Sequence, residues 1–333
     1  MENIYNIIDS LMKQYDKPFY FYDESVIAKN IKILKEKFLR FEFLYSIKAN
    51  PYTPIVDFIV SEGLGADAAS SEEVILAYNT GLTSEKILYS TPGKTRNDIE
   101  KTYDKSIIIA DSYNELVLIN EVAKDKDIQI KVGIRINPDF DIDSGVGVSS
   151  KFGVDEDTLV KQKSFLDSLK NLKIIGIHVH LRSQIIDYRI LYRYYEKVFL
   201  LSLFCKEVMK WELDFINFGG GLGIVYSSLN DSPLDLELLS EKCEVLFQRF
   251  KDKIKVRLIL ETGRFVVCEA GQYITQIVDI KESRGTKYLI VKNSLNGFFR
   301  PSIAEFLAAY TPKEKNYRAV NHYSRRKMLL ILR

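Results

Sequence analysis

A lysine, two motifs rich in histidine or glycine, and an acid beside an arginine are the residues of this sequence that could do chemistry. Lys48 stands in "YSIKANP" (45–51), after a run of strand formers and before an asparagine–proline turn. An amine where a strand meets a loop is either partly desolvated and reactive, or snorkels to water as a surface charge. His180 and Ser183 lie in "HVHLRSQ", Gly219, Gly220 and Gly221 in "NFGGGLG", and Glu261, Gly263 and Arg264 in "ETGR". Singly, each has an ordinary reading: a hydrogen-bonded core imidazole, a tight turn, an ion pair.

The elements that must position them recur regularly. Short β-branched or aromatic runs fall at 43–47, 64–68, 86–90, 106–110, 131–136, 173–180, 213–218 and 255–261, eight in all. Between them lie stretches with helical spacing, such as "SSEEVILAYNTG", which opens on serines and acids and stops at Gly81. Alternating strand and helix implies a parallel sheet. Eight units suit a closed (β/α)8 TIM barrel of the α/β class, with an open doubly wound sheet as the alternative. Chemistry in such a barrel sits at the carboxyl ends of the strands. Lys48 ends the first strand, His180 and Ser183 the sixth, the glycine run follows the seventh and Glu261 ends the eighth. An amine, a flat imidazole, glycine amides that can approach a phosphate unobstructed, and an acid to face a pyridine nitrogen are together the inventory for pyridoxal 5'-phosphate. A dinucleotide fingerprint is a poor reading of "GGGLG", which comes late and lacks the G-x-G-x-x-G spacing.

Composition narrows the rest. An apolar fraction of 46% and a charged fraction of 28% are those of a soluble globular protein, and 333 residues suffice for one large domain or two ordinary ones. A net charge of +2 gives no electrostatic case for nucleic acid. No apolar run reaches the roughly 18–20 residues of a membrane span, and the N-terminus lacks a secretion signal. Cys205, Cys243 and Cys268 have no metal spacing, which suggests reduced thiols in a cytoplasm. With only three histidines, no metal site is expected.

The ordered motifs resemble the pyridoxal-phosphate-dependent decarboxylases built on the alanine-racemase-type barrel (fold type III), most closely the diaminopimelate decarboxylase group, over residues 15–303. "YSIKANP" is similar to the family's Schiff-base lysine motif, which implies that Lys48 anchors the cofactor. "GADAASSEEV" resembles the next motif and "GIRINPD" a third, placing Asp67 and Arg135 near the cofactor; "KFGV" (151–154) is also family-like. "HVHLRSQ" is similar to H-x-H-x-G-S-Q, implying His180 against the ring face and Ser183 on phosphate. "NFGGGLG" resembles the phosphate loop, Gly219 to Gly221. "ETGR" is similar to E-P-G-R, with Glu261 on the pyridine nitrogen and Gly263 near phosphate. Arg264, and Arg300 of "FFRP", would meet phosphate or a substrate carboxylate. The implied reaction is α-decarboxylation of an amino acid, meso-diaminopimelate to lysine or a related diamino acid. Lysine biosynthesis, a cytoplasmic setting, a small-molecule amino-acid substrate and a homodimer, if the β-domain is complete, follow from the same resemblance.

The sequence also departs from that pattern. Arg182 replaces a glycine and Thr262 a proline, and after "RPS" Ala304 stands near the family's aromatic. The family's later cysteine-containing acid motif and its phosphate-contacting tyrosine have no counterpart before Arg333. In the family that cysteine is supplied across a dimer interface and protonates the carbanion. The tail 313–333 holds seven Lys or Arg against one acid. It is read as a β-domain shortened by about 60–80 residues on family length, against a frayed end or an arm for an anionic partner. The expected domains are a barrel over 26–262 and a partial β-domain built from 1–25 and 263–333. An inactive cofactor-binding homologue acting through a partner, and an amino-acid racemase, are the alternatives to a decarboxylase.

Overall fold

The eight expected strand runs form a closed ring of parallel strands. The computed structural model describes residues 2–142, 145–225, 232–293, 297–298, 319–324 and 327–332, with residues 2–3 and the last two segments described by their backbone only. The ring comprises β2 (Phe41–Ser46), β3 (Gly65–Ala68), β4 (Ile87–Tyr89), β5 (Ile107–Ala110), β6 (Ile130–Asn137), β8 (Leu172–His178), β9 (Phe215–Asn217) and β10 (Arg257–Thr262). They are hydrogen-bonded in that order, and β10 returns to β2 with Glu261 opposite Leu44. The open-sheet alternative is thereby set aside. A short additional strand, β7 (Val154–Asp155), pairs with the end of β6. It follows Gly153, where φ is +80° and a Cβ would lie 2.8 Å from the Asn137 nitrogen, so only glycine fits this corner of "KFGV".

Alternation along each strand sends every second side chain into the barrel. One inward layer is apolar: Leu44, Leu88, Ile109, Phe215 and Ile259 are all buried. Gly133 and Gly176 leave room for the Phe215 ring, since a Cβ on Gly176 would lie 2.2 Å from its Cζ. Helices close the outside, with starts fixed by side-chain caps. Ser70 accepts from the Glu73 amide at the helix Ser71–Asn79, Thr95 and Asp98 form a capping box at the helix Arg96–Thr102, and Ser112 accepts from the Glu115 amide at the helix Tyr113–Asp125. Among the described residues no helix is long and apolar enough to cross a membrane.

The described chain divides into two compact units, one drawn from residues 2–26 and 268–332, the other from 27–225 and 232–267. In the smaller, β1 (Phe19–Tyr22) runs antiparallel to β11 (Gly271–Ser283), and β11 turns into β12 (Thr286–Val291). The turn is Arg284–Gly285, both at positive φ, as a two-residue hairpin loop of the I′ kind requires. The amphipathic helix Glu2–Gln14 packs Ile8 onto Ile274, with Ile4, Tyr5, Met12, Phe19 and Phe21 around them.

The β-branched run "RFVV" (264–267) reads as strand in the sequence, and here the structure differs: residues 264–267 form a helical turn, in which the Val266 and Val267 amides bond back to the Gly263 carbonyl and Asn30 of Glu24–Lys37 donates to the Phe265 and Val266 carbonyls. Tertiary bonds override the β propensity of "RFVV". The tail, read as part of a shortened β-domain, carries two strands. Ala319–Ser324 and Lys327–Leu332 pair antiparallel with each other, and the second pairs with β11.

Candidate active site

Two residues beyond the apolar layer, the next inward position of each strand is polar. Ser46, Asp67, Ser90, Asp111, Arg135, His178, Asn217 and Glu261 come one from each of the eight strands or its end, and all are buried. A polar group removed from water must find partners nearby, and most of these find them in one another. Ser46 Oγ donates to Asp67 Oδ2 at 2.8 Å, and the Ser90 hydroxyl donates to Asp67 Oδ1. Arg135 Nη1 lies 3.6 Å from Asp111 Oδ1, while its Nη2 donates to the His180 carbonyl at 3.4 Å and its guanidinium covers the Phe152 ring at 4.4 Å. Asn217 Nδ2 donates to Glu261 Oε1 at 2.8 Å, and His178 Nε2 is 3.2 Å from the same oxygen.

Lys48 rises above this ring on the single turn Ile47–Ala49, not on the strand itself. Its Nζ is 3.6 Å from Asp67 Oδ2, and its side chain is 60% exposed. The Asp67 carboxylate holds the ammonium pKa above its ordinary value, outweighing burial and the Arg135 charge. A desolvated, weakly basic amine is therefore not what the fold provides; it provides an ammonium paired with a carboxylate. Burial raises the Asp67 pKa and Glu261 pushes it the same way, against Lys48 and the two serines. Glu261 goes the other way: burial alone would raise it, but the two imidazoles and Lys48 outweigh burial and hold its carboxyl well below the usual range.

His180 lies two residues past the end of β8 rather than on it. Its Nδ1 accepts from the Gly220 amide at 2.9 Å, which leaves Nε2, 3.4 Å from Ser183 Oγ, as the protonated nitrogen of the neutral ring. Burial, with the neighbouring positive charges, lowers its pKa to about 4. Gly219 donates to Asn217 Oδ1 at 2.8 Å. Two of the three amides in the glycine run are thus engaged by side chains, and the Gly221 amide has no partner among the described residues. Close approach, not only amide donation, makes glycine necessary here. At Gly219, with φ +67°, a Cβ would sit 2.5 Å from the Val179 carbonyl oxygen, and at Gly263 it would sit 2.9 Å from the Ala49 Cβ. Arg264 Nη1 donates to Gln184 Oε1 at 3.1 Å, and Gln184 also bonds the Ile224 backbone in both directions.

Lys48, Asp67, Arg135, His180, Gly219–Gly221 and Glu261 thus gather at one end of the barrel, with Ser183, Gly263 and Arg264 on the loops beside them. Arg300 lies outside the described residues. His178, Asn217, Ser46 and Ser90 were not picked out from the sequence, although each is the polar residue two places after an inward apolar or glycine position. Lys94 and Glu115 were missed as well. Lys94 Nζ, with a fully buried side chain, reaches the Ile109 carbonyl at 2.8 Å and Glu115 Oε2 at 3.1 Å, and Glu115 accepts the Asp111 amide. That pair pins the end of β5 beneath Arg135.

Pyridoxal phosphate fits this set. An amine stands at the rim, Glu261 keeps Oε2 free of hydrogen bonds among the described residues, and the glycine corners have no room for side chains. Residues 24–268 match the family described as pyridoxal-dependent decarboxylase, pyridoxal binding domain. A diaminopimelate decarboxylase of Aquifex aeolicus is 32% identical over 89% of this chain and 71% of its own. An L-glutamyl-[BtrI acyl-carrier protein] decarboxylase of Niallia circulans is 31% identical over 87% and 69%. Among solved structures, diaminopimelate decarboxylase from M. jannaschii in complex with L-lysine superposes with a TM-score of 0.82 at 27% identity, covering 97% of this chain and 83% of that one. The chain belongs to the pyridoxal-dependent decarboxylases, and its barrel is their cofactor-binding domain.

Proposed function

We propose that this chain removes the α-carboxylate of a diamino acid, with meso-diaminopimelate, which yields lysine, as the first candidate. The observation that carries the reading is the convergence of Lys48, Asp67 and Glu261 on one barrel end, where the Lys48 amine opens to solvent and the carboxylates beneath it do not. Lys48 would hold the cofactor through its amine, which stands at the rim within reach of a bound ring. Bound pyridoxal phosphate supplies the electron sink for the pair released when the carbon–carboxylate bond breaks. Glu261 would keep the ring nitrogen protonated, the neutral His180 would cover the ring, and Gly221, Gly263 and Ser183 would take the phosphate. Asp67 holds the Lys48 ammonium once it is free. Arg264, with Arg300, receives a carboxylate of the substrate or the phosphate.

The substrate reading rests on relatives: the curated diaminopimelate decarboxylases and the solved one that holds L-lysine. Lysine biosynthesis, a cytoplasmic setting and a homodimer belong to the same reading. The carrier-protein decarboxylase, nearly as similar, favours a second one, an amino acid presented as a tethered glutamyl group.

Purified protein should carry the visible absorption of bound cofactor and lose it in Lys48→Ala. It should release carbon dioxide from meso-diaminopimelate, in a screen that also holds lysine, ornithine and a carrier-bound glutamate. Colour without carbon dioxide from any of them leaves the inactive cofactor-binding reading, and lysine or ornithine that loses only its optical rotation leaves the racemase.

A further inference from the structure

His178 is the buried titratable group that the proposed chemistry leaves unused. It is 2% exposed, and neither of its ring nitrogens makes a hydrogen bond of good geometry to any described residue. A buried imidazole without such a bond is a costly way to fill space. Leucine or valine would occupy an inward barrel position at no such cost. What His178 does have is a position: Nε2 stands 3.2 Å from Glu261 Oε1. Register explains how it is held there. His178 lies opposite Arg135 on β6 and opposite Asn217 on β9, and Asn217 donates to the same Oε1 at 2.8 Å. Both side chains therefore crowd one oxygen of the carboxylate and leave the other, Oε2, without a hydrogen bond among the described residues.

We propose that His178 is a positioning residue for the pyridoxal-phosphate reaction: with Asn217 it fixes Glu261 as a carboxylate in one orientation, so that Oε2 is the oxygen presented to the cofactor's ring nitrogen. This rests on the reading of Glu261 as the acid that keeps that nitrogen protonated. The groups facing Glu261 show why a dedicated holder is needed. Lys48 approaches from the end of β2 and Asp67 from β3, His180 from beyond β8, and the Tyr194 phenol from the helix Tyr188–Glu207. Lys48 is already paired with Asp67, and the Tyr194 hydroxyl donates to the Val179 and Phe218 carbonyls at 2.9 Å each. His180 Nδ1 is taken by the Gly220 amide. That leaves His178 and Asn217 as the side chains standing beside Glu261 Oε1. Without it, Glu261 loses one of the two side chains that hold Oε1, and becomes a weaker partner for a protonated ring.

The test uses cofactor-loaded protein and reads the pH midpoint of the cofactor's absorption change, alongside kcat and KM. Glu261→Ala is the reference. His178→Leu should move the midpoint in the same direction as Glu261→Ala by about one pH unit, a tenfold change in the proton equilibrium. It should also lower kcat while leaving KM in place. His178→Gln, whose amide nitrogen falls near the original Nε2, should return the midpoint toward wild type. A merely structural histidine would affect stability and not that rescue. If Glu261→Ala moves the midpoint and His178→Leu leaves it at the wild-type value, the proposal is overturned. If Glu261→Ala itself leaves the midpoint unmoved, the reading of Glu261 falls and takes this one with it. Should His178→Leu not fold, His178→Asn, polar but too short to reach Oε1, replaces it with the same expected shift and the same overturning result.

Discussion

Two layers of one barrel, two residues apart on every strand, are built to opposite specifications. The lower is Leu44, Leu88, Ile109, Phe215 and Ile259, with glycines at 65, 133 and 176; the upper is Ser46, Ser90, Asp111, Asn217 and Glu261, with Asp67, Arg135 and His178 standing over those glycines. Both are out of water. Apolar burial is non-directional, so the lower layer needs only volume and shape. The upper layer needs each donor aimed at an acceptor, because an unpartnered buried polar atom costs more than a hydrogen bond gains. The same eight strands therefore supply a rigid floor and, one step further along, a set of charges whose positions that floor fixes. Mutations in the lower layer should be felt in stability at any pH. Those in the upper layer should be felt in protonation.

The largest effect expected of that distinction is at Phe215. Its ring fills the space over Gly133 and Gly176, neither of which has a side chain to take its place. Phe215→Ala should cost about 3–5 kcal/mol, read as a lower denaturant midpoint whose displacement is the same at pH 6 and pH 8. A loss that varied with pH would show that the two layers are not separable.

Much of the lower layer was open to inspection in the sequence, and little of the upper. Runs such as "SIIIA" and "KVRLILE" announce buried strands by their β-branched content, and their count of eight points to closure. The loop motifs stand out because glycine and lysine at strand ends are unusual. Asn217 and Ser90, by contrast, are common residues whose importance lies in what stands across the barrel from them, a contact between strands far apart in the chain. The signal was present in outline, as one polar residue two places after an inward apolar or glycine position in each strand, but it becomes legible only once the eight strands are laid side by side. The turn at 264–267 was hidden for a related reason: the bonds from Asn30 that hold it come from residues more than two hundred positions away.

An intermediate effect should come from His180. Its pKa falls from the ordinary 6.5 to about 4, because burial disfavours the charged ring. Between those values the unfolded chain takes up a proton that the folded chain refuses. Folding stability should therefore rise with pH across that window and be lost as pH falls through it, by about 3 kcal/mol in all. Chemical unfolding of cofactor-free protein at a series of pH values checks this. His180→Asn should flatten the slope below pH 6.5, and an unchanged slope would mean that the imidazole is not held neutral by its surroundings.

The smallest effect is the most diagnostic of the comparison. Ser46 and Ser90 donate to different oxygens of Asp67, and both oppose the rise in its pKa that burial imposes. Ser46→Ala removes one donor from a buried carboxylate and should cost about 1–2 kcal/mol at neutral pH. Because the bond favours the charged form, that cost is present above the raised Asp67 pKa and fades as pH falls through it. It should also leave Lys48 as the principal partner of Asp67 Oδ2, so the amine is more tightly held and cofactor attachment slower. Comparing the unfolding free energies of wild type and Ser46→Ala at a series of pH values from 7 downward, with the rate of cofactor loading beside them, decides the matter. A cost that persists unchanged at the lower pH values would place Ser46 with Leu44 below it, as a group valued for its volume alone.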